Sequence, residues 1–395
     1  MRMLKQIAAI TWMNLRNVPQ RPGSSLVIVI GIAGVVGVLV ALLAMGQGFR
    51  ATLAGTASED RAIVLREGAN AELSSGLGRD TVDLVKGLPG VRRDANGEPL
   101  ASAELLVIAD LPKTSTGTTA NAQVRGVQPE AFALRPEVRI IEGRNFTPGP
   151  RELIAGRGAA SQFAGLEVGS RIAFRDADWT VVGIFEAGGG AHESELWADA
   201  EVLMSAYRRN GFQSVTLQLE SPQALEVLRA AIAGDPRLVV KAQSEKSYYE
   251  AQSRQLATVI DIIGTVIAAI MALGAVFGAL NTMYAAIATR SREIATLRAL
   301  GFGGLPVVVS VMVEALLLAL LGGLAGAVLA YVVFNGYTVS TLNGATFSQV
   351  AFDFQVTPTL MWRGLLWALV IGAIGGLMPA IRAARLPVTT ALRAL

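Results

Sequence analysis

The chain has 395 residues, of which 52% are hydrophobic and only 16% charged, and its formal net charge is +3. An apolar excess of this size, gathered into long runs, excludes an ordinary soluble domain, and without a basic tract or interleaved aromatic platform nucleic acid is not expected as a partner. Zero cysteines exclude disulfides and thiolate metal sites.

Residues 1–25 are expected to form a cytoplasmic amphipathic helix. Met3, Ile7, Ile10 and Asn14/Leu15 fall near one side over 3–18, with Lys5 and Arg16 elsewhere, before Pro19 and Pro22 redirect the chain. An unstructured basic lead is the alternative. Leu26–Met45 carries no charge and is the first of four predicted spans, 26–46. Its basic lead and the "AMG" before Gln47 also fit a signal peptide. A 20-residue apolar run exceeds the usual signal core of about 7–15 residues, so an uncleaved anchor is expected.

Residues 47–245 are expected to form an extracytoplasmic αβ domain. "RAIVLREG" (61–68) reads as a strand and "RDTVDLVKGLPGV" (79–91) as a helix with a Gly-Leu-Pro-Gly stop. "SVTLQLE" (214–220) alternates like a half-buried strand, Ser221-Pro222 starts a helix running to about Gly234, and "RLVVKA" (237–242) is a further strand. These predict two similar strand–helix–strand halves, about 58–94 and 212–245, flanking a β-rich insert over about 95–211. Within the insert, 170–190 predicts a hairpin around an Asp-Ala-Asp turn, and its "AGGG" tail is a mobile loop or a tight reversal.

From 244 to 290 there is no proline and no helix stop; 47 helical residues would make a rod about 70 Å long, against a hydrocarbon core of about 30 Å. Stalk and second span are therefore expected as one helix, 246–288, leading into a short charged segment, 289–304. The third span covers 305–334, and a short outer connection 335–362 follows. In that connection Val350, Phe352, Phe354 and Val356 alternate as a strand that braces the stalk or pairs with a second copy. The fourth span, 363–381, precedes a tail, 382–395. The fold class is a membrane α+β protein: four transmembrane helices, a large αβ domain between the first two, and a stalk continuous with the second.

Residues 1–25, 288–304 and 382–395 carry 4, 3 and 3 basic residues against one acid, Glu293, while the remainder holds 24 basic and 30 acidic residues. The positive-inside bias puts both termini and the 289–304 segment on the cytoplasmic side of the membrane. Membrane lipids are thus the first expected partner.

No phosphate-cradling G-x-x-x-x-G-K-[ST] loop is present, and neither H-E-x-x-H nor G-x-S-x-G. The only histidine, His192, sits in "AHESELW" with Glu193 and Glu195; a lone histidine in a polar loop reads as solvated rather than metal-bound. No catalytic, cofactor or metal residue is assigned. Two acids fall inside apolar runs. Asp261 lies near the outer end of span two, where snorkelling or the stalk's emergence from lipid explains it. Glu314 lies ten residues into span three, where it bonds a neighbouring helix, is protonated, or relays protons. Small residues recur four apart at Ala33/Gly37, Gly274/Gly278, Gly322/Gly326 and Gly372/Gly376, a spacing that lets helices approach closely in lipid.

Within 289–302, Ile294, Leu297 and Gly301 follow helical spacing, while Arg290, Arg292, Glu293 and Arg298 supply polar contacts. Positive-inside charge on an ordinary hairpin explains this, as does a helix pressed into a soluble partner. "NTMYAAIATRSREIATLRALGF", "VEALLLALLGGLAGAVLAY" and "PAIRAARLPVTTALRAL" resemble the FtsX-like permeases of the MacB type, the type VII ABC transporters. "IIEGRNFTPGPRELIAGRGAASQF", "LEVGSRIAF" and "WTVVGIF" resemble the outer domain of that family. The resemblance implies that 289–302 is a coupling helix docking on a separate ABC ATPase. A permease homodimer would work with two ATPase copies that bind ATP and Mg, with no cofactor on this chain. A membrane-fusion adaptor would be a further partner. The macrolide exporter carries its ATPase on the same chain, whereas this sequence begins almost at its first span, and "GFGGLPVVVS" after the coupling segment is uncharged. The leading expectation is a permease subunit for efflux or mechanotransmission. Extraction of lipoprotein or lipid from the outer leaflet, and regulation of a cell-wall hydrolase, are the rivals.

Overall fold

A computed structural model describes residues 2–17, 22–344 and 346–385. Residues 18–21 and 386–395, including Pro19 and most of the expected tail, lie outside the described residues. In chain order the first elements are α1 (Arg2–Asn17), α2 (Pro22–Gly55), β1 (Arg61–Arg66), α3 (Arg79–Lys86), β2 (Ala101–Pro112), β3 (Thr119–Val127) and α4 (Ala131–Leu134). Then come β4 (Arg139–Gly143), β5 (Glu152–Gly156), α5 (Arg157–Gln162), β6 (Arg171–Phe174), β7 (Ala177–Glu186), β8 (Glu195–Asp199) and α6 (Ala200–Ala206). The chain continues through β9 (Ser214–Gln218), α7 (Ala224–Gly234), β10 (Val240–Ser244), α8 (Glu245–Thr289) and α9 (Ser291–Ala299). It ends with α10 (Gly304–Phe334), β11 (Thr338–Asn343), β12 (Ser348–Asp353) and α11 (Pro358–Ala384). Two compact units result: an αβ unit of 48–257 and 338–353, and a helical unit of the rest.

In the αβ unit the strands follow the order β10-β1-β9-β2-β3-β8-β5-β7-β4, with β6 on β7. The two strand–helix–strand halves do not lie side by side around an insert. β1 pairs antiparallel with both β9 and β10, and β9 pairs with β2, so each half inserts a strand into the other. This is the split βαβ arrangement. β2, expected in the insert, completes that sheet with Ala101–Glu104 on β9, then turns its remaining length, Leu105–Pro112, to β3. Interleaving covers the apolar residues of both halves with one core, which includes Val64, Val85, Leu105, Leu217 and Leu228. The β6–β7 hairpin turns one residue earlier than expected, at Arg175 and Asp176, both at positive φ (53° and 57°). That is the two-residue turn matching strand twist. The "AGGG" stretch is a tight reversal, with Gly190 N–H on the Ala187 carbonyl at 3.0 Å.

The β11–β12 hairpin packs on its own αβ unit. Ala351 N–H donates to Ser194 Oγ at 2.9 Å, Ser348 Oγ to Gln123 Oε1 at 2.9 Å, and the Phe352 and Phe49 rings meet edge-on at 5.4 Å. Val350 and Phe352 are buried, as their alternation predicts.

In the helical unit, α2, α8, α10 and α11 are each long and apolar enough to cross a bilayer. α8 has 45 residues without a break, a length of about 68 Å. Only 17% of its most apolar window is buried within the chain, against 44–50% for the other three, so it is the span least covered by the rest of the chain. Glycines set the crossings. A Cβ on Gly326 would stand 2.5 Å from the Ala33 carbonyl oxygen of α2, and one on Gly322 would stand 2.9 Å from that of Val29. Gly372 and Gly376 bring α11 against Ala319 and Ala315 of α10. α1 lies along α10, burying Ile10 and joining Asn14 Nδ2 to Ser310 Oγ at 2.6 Å.

Candidate functional site

α8 stops at Thr289 because Arg290 leaves helical geometry (φ −101°, ψ 5°), yet its carbonyl accepts the Ile294 N–H at 3.0 Å and so opens α9. Gly301 ends α9 at φ +90°, a left-handed position that a side chain would strain. The Phe302 N–H returns to the Leu297 carbonyl at 3.1 Å, and Gly303 then caps α10. A nine-residue helix is thus held between two long ones, by Arg290 alone on one side and by the four residues 300–303 on the other.

The predicted site residues divide by face. Arg292, Glu293 and Thr296 are exposed, and Leu300, 72% exposed, continues that side. Ile294 and Ala295 are buried, while Leu297 and Arg298 are half-buried. Ile294, expected as a docking contact, is therefore spent on the protein's own packing, and Leu300 is the exposed apolar residue that sequence reasoning missed. Its spacing from Arg292 and Glu293, about two turns along the same face, was the available signal.

Arg290 also turns inward. Its side chain is 5% exposed, and Nη1 meets Glu314 Oε2 at 3.0 Å. Of the readings open for Glu314, the structure gives the bond to a neighbouring element, and the two residues neutralise one another away from water. Losing either would leave a buried charge alone, which is far costlier than losing a surface pair. Asp261 is half-buried on α8, and Thr265 Oγ1 donates to its backbone carbonyl at 2.7 Å. Of the predicted glycine pairs, Gly322/Gly326 and Gly372/Gly376 sit in helix crossings, while Gly274 and Gly278 have nothing within 4 Å of a built Cβ.

The αβ unit contains a buried ionic cluster that sequence reading missed. Arg125 Nη1 lies 2.7 Å from Glu104 and 2.8 Å from Glu72, and its Nε lies 2.8 Å from Glu195. Arg135 grips the other oxygen of Glu104 at 2.6 Å, and Arg61 holds Glu245 at 2.6 Å. Burial alone would raise the carboxyls of Glu104 and Glu195, but the guanidiniums outweigh it and hold both below the ordinary carboxylate range. His192 belongs to this interior, contrary to the solvated reading: it is 1% exposed, with Nδ1 3.1 Å from Glu195 Oε2. Glu195, at the centre, also accepts from Trp197 Nε1 at 2.7 Å. Glu193 turns the other way, accepting the Ala187 and Gly189 N–H groups. Among the described residues no three metal-ligating side chains converge. The cluster's chemistry is that of a structural ion network: each carboxylate is met by a cation, and Ser214 Oγ donates to Glu72 at 2.6 Å.

Residues 25–234 match the MacB-like periplasmic core domain and residues 265–388 the FtsX-like permease C-terminal domain. The chain is 23% identical over 400 residues to the ABC transporter permease YknZ of Bacillus subtilis, covering 93% of this chain and 94% of that one. It is 26% identical over 404 residues to the macrolide export ATP-binding/permease protein MacB of Nitrobacter winogradskyi, covering 92% of this chain but 56% of the relative. The chain thus spans about half the length of that relative. Among solved structures, the extracellular domain of YknZ from Gram-positive bacteria aligns with 47% of this chain and all of its own, at 14% identity and a TM-score of 0.35. With its two matched domains and four apolar helices, the chain belongs to the MacB/FtsX-like family of ABC transporter permeases, as a multi-pass membrane protein.

Proposed function

We propose that this chain is the permease subunit of an ATP-driven efflux or mechanotransmission complex, in which α9 is the contact for a separate ABC ATPase. The observation that carries the reading is the two-sided character of α9. Ile294 and Ala295 anchor it, and Arg292, Glu293, Thr296 and Leu300 are presented together on its outer face. A short helix fixed by its own core and exposing a mixed apolar and charged face suits a groove on a soluble partner.

α8 supports the rest of the reading. It contributes residues to both units without interruption and meets α9 with only Arg290 between, so a push on α9 has a stiff element to act on. In this scheme two copies of the permease work with two ATPases, which bind ATP and Mg. α1, α9 and both termini face the cytoplasm of a bacterial inner membrane, the αβ unit works in the periplasm, and a membrane-fusion adaptor joins it there. The Lys/Arg excess of residues 1–25 and 288–304 supports that orientation.

The test is association. The Arg292→Ala, Glu293→Ala, Leu300→Ala triple variant, purified from native membranes, is expected to lose its co-purifying ABC ATPase while reaching the membrane in normal amount. Undiminished capture of the ATPase by that variant would remove α9 as the coupling contact. Identification of a co-purifying adaptor favours export, and of bound acylated protein favours lipoprotein extraction.

A further inference from the structure

α8 starts without a linker: β10 ends at Ser244 and α8 begins at Glu245. Its first three turns bury Glu245, Tyr248, Tyr249, Gln252, Ser253 and Ala257 along one face, and all six belong to the αβ unit. Five of the six carry hydrogen-bonding side chains, whereas a helix seated on a core ordinarily presents an apolar stripe. Glu245 Oε2 accepts from Arg61 Nε at 2.6 Å and from the Ser58 N–H at 3.0 Å. The Tyr248 hydroxyl accepts the Glu72 N–H at 3.2 Å, and Gln252 Oε1 accepts from Asn343 Nδ2 at 3.4 Å.

Arg61 also reaches the end of α2. Its Nη2 donates to the carbonyl of Thr56, one residue beyond α2, at 3.0 Å, and its Nη1 to the Leu134 carbonyl at the end of α4, at 2.8 Å. Thr56 Oγ1 in turn accepts the Ala191 N–H at 2.6 Å. One buried guanidinium therefore ties the end of α2 to the first turn of α8. Apolar packing is non-directional, and packed helices slide past one another in small shear steps. Hydrogen bonds fix angle as well as distance. A roll of α8 by about 20° would carry a side-chain tip at a radius of about 5–6 Å sideways by about 2 Å, which misaligns all of these tethers at once.

We propose that the first three turns of α8 form a roll-locked joint, in which the Arg61–Glu245 pair keys α8 and the end of α2 to the αβ sheet as one body. A rotation or tilt of α8 is then delivered to the sheet instead of being lost by slippage. Delivery of ATPase work by this route rests on the function proposed above. The joint itself does not, because every bond in it lies within the αβ unit.

The chain has no cysteine of its own, so Ala230→Cys on α7 and Gln255→Cys on α8, both exposed positions, take two spin labels and no others. In the full permease with its native membrane partners retained, double electron–electron resonance is expected to give one narrow inter-label distance, unchanged when ATP is added. Arg61→Met/Glu245→Gln removes both charges together, so that neither is left buried alone, and is expected to widen that distribution about twofold. Tyr248→Phe keeps the ion pair, is expected to widen it less, and decides the question if the double variant does not fold. Capture of the ABC ATPase is expected to equal the parent's in both variants, since α9 is untouched. A parent that captures no ATPase counts against the proposed function and leaves the distance measurement to judge the joint. A broad distribution in the parent, or an unchanged width in the variants that fold, overturns the joint.

Discussion

Arg125 and Glu104 stand 21 residues apart in the chain, and their side chains meet at 2.7 Å in the interior of the αβ unit. Glu72 and Glu195 close on the same guanidinium, at 2.8 Å each. Arg125 is 1% exposed, so none of the three carboxylates has water as an alternative partner. Arg125→Met should therefore destabilise the protein by about 3–5 kcal/mol, the range for removing one member of a buried ionic group. Arg125→Lys should recover little of it, because an ammonium cannot present three diverging donors. Thermal unfolding of the detergent-solubilised chain measures both, and a Lys variant as stable as the parent would contradict the network's geometry.

The same network sets the acid limb of stability. Burial raises the carboxyls of Glu104 and Glu195, but Arg135 and Arg125 around Glu104, and Arg125 and His192 around Glu195, leave both below their ordinary value when folded. The folded state then binds protons less readily than the unfolded chain. Its advantage is complete above about pH 5 and is lost as the pH falls through the lowered values. At the other end, burial pushes the hydroxyls of Tyr248 and Tyr249 well above an ordinary value near 10. The unfolded chain therefore releases protons first, and stability declines above about pH 10. Unfolding midpoints should form a plateau between these limits, and a midpoint unchanged down to pH 3 would contradict the acid assignment.

The apolar runs made the helices legible, because a span needs length and hydrophobicity more than any particular neighbour. α8 was expected over 244–290 and runs Glu245–Thr289. Strand alternation likewise exposed the buried face of β12. Partner choice was another matter. Nothing in "SVTLQLE" says that β9 slots between β1 and β2, since either neighbour satisfies its period of two. Glu104 and Arg125 are charged residues at buried positions of their strands, a local oddity whose meaning depends on the register that brings them together. Arg290 and Glu314 were both singled out from sequence, one as surface and one as intramembrane acid. Only the fold of α8, α9 and α10 shows them to be a single pair.

The glycine pairs separate by what faces them. Gly326→Ala would place a methyl 2.5 Å from a backbone oxygen of α2, and Gly372→Ala would drive one into Ala319 of α10. Neither obstacle is a flexible side chain, so each substitution should cost about 1–3 kcal/mol through forced helix separation. Gly274→Ala meets nothing within 4 Å and replaces a poor helix former, so it should leave the folded chain unchanged or slightly more stable. Thermal scans of the three single variants decide it: a Gly326→Ala protein as robust as Gly274→Ala would mean that α2 and α10 do not cross at that glycine.

On α9 the contrast lies between two leucine-sized residues six positions apart. Leu300 is 72% exposed, whereas Ile294 is 8% exposed and packed inward. An exposed leucine contributes little to the stability of the free chain, but at the centre of a docked face it would be the main apolar anchor. Leu300→Ala should therefore lower ATPase capture about tenfold while leaving the melting midpoint within error. Ile294→Ala should do the reverse: it removes buried methyl groups, costing about 2–4 kcal/mol, and affects capture only as far as α9 loses its shape. Capture and melting measured on both variants distinguish the alternatives. If Leu300→Ala costs stability and spares the ATPase, its side chain is packed within the permease, and the docking face lies on another side of the helix.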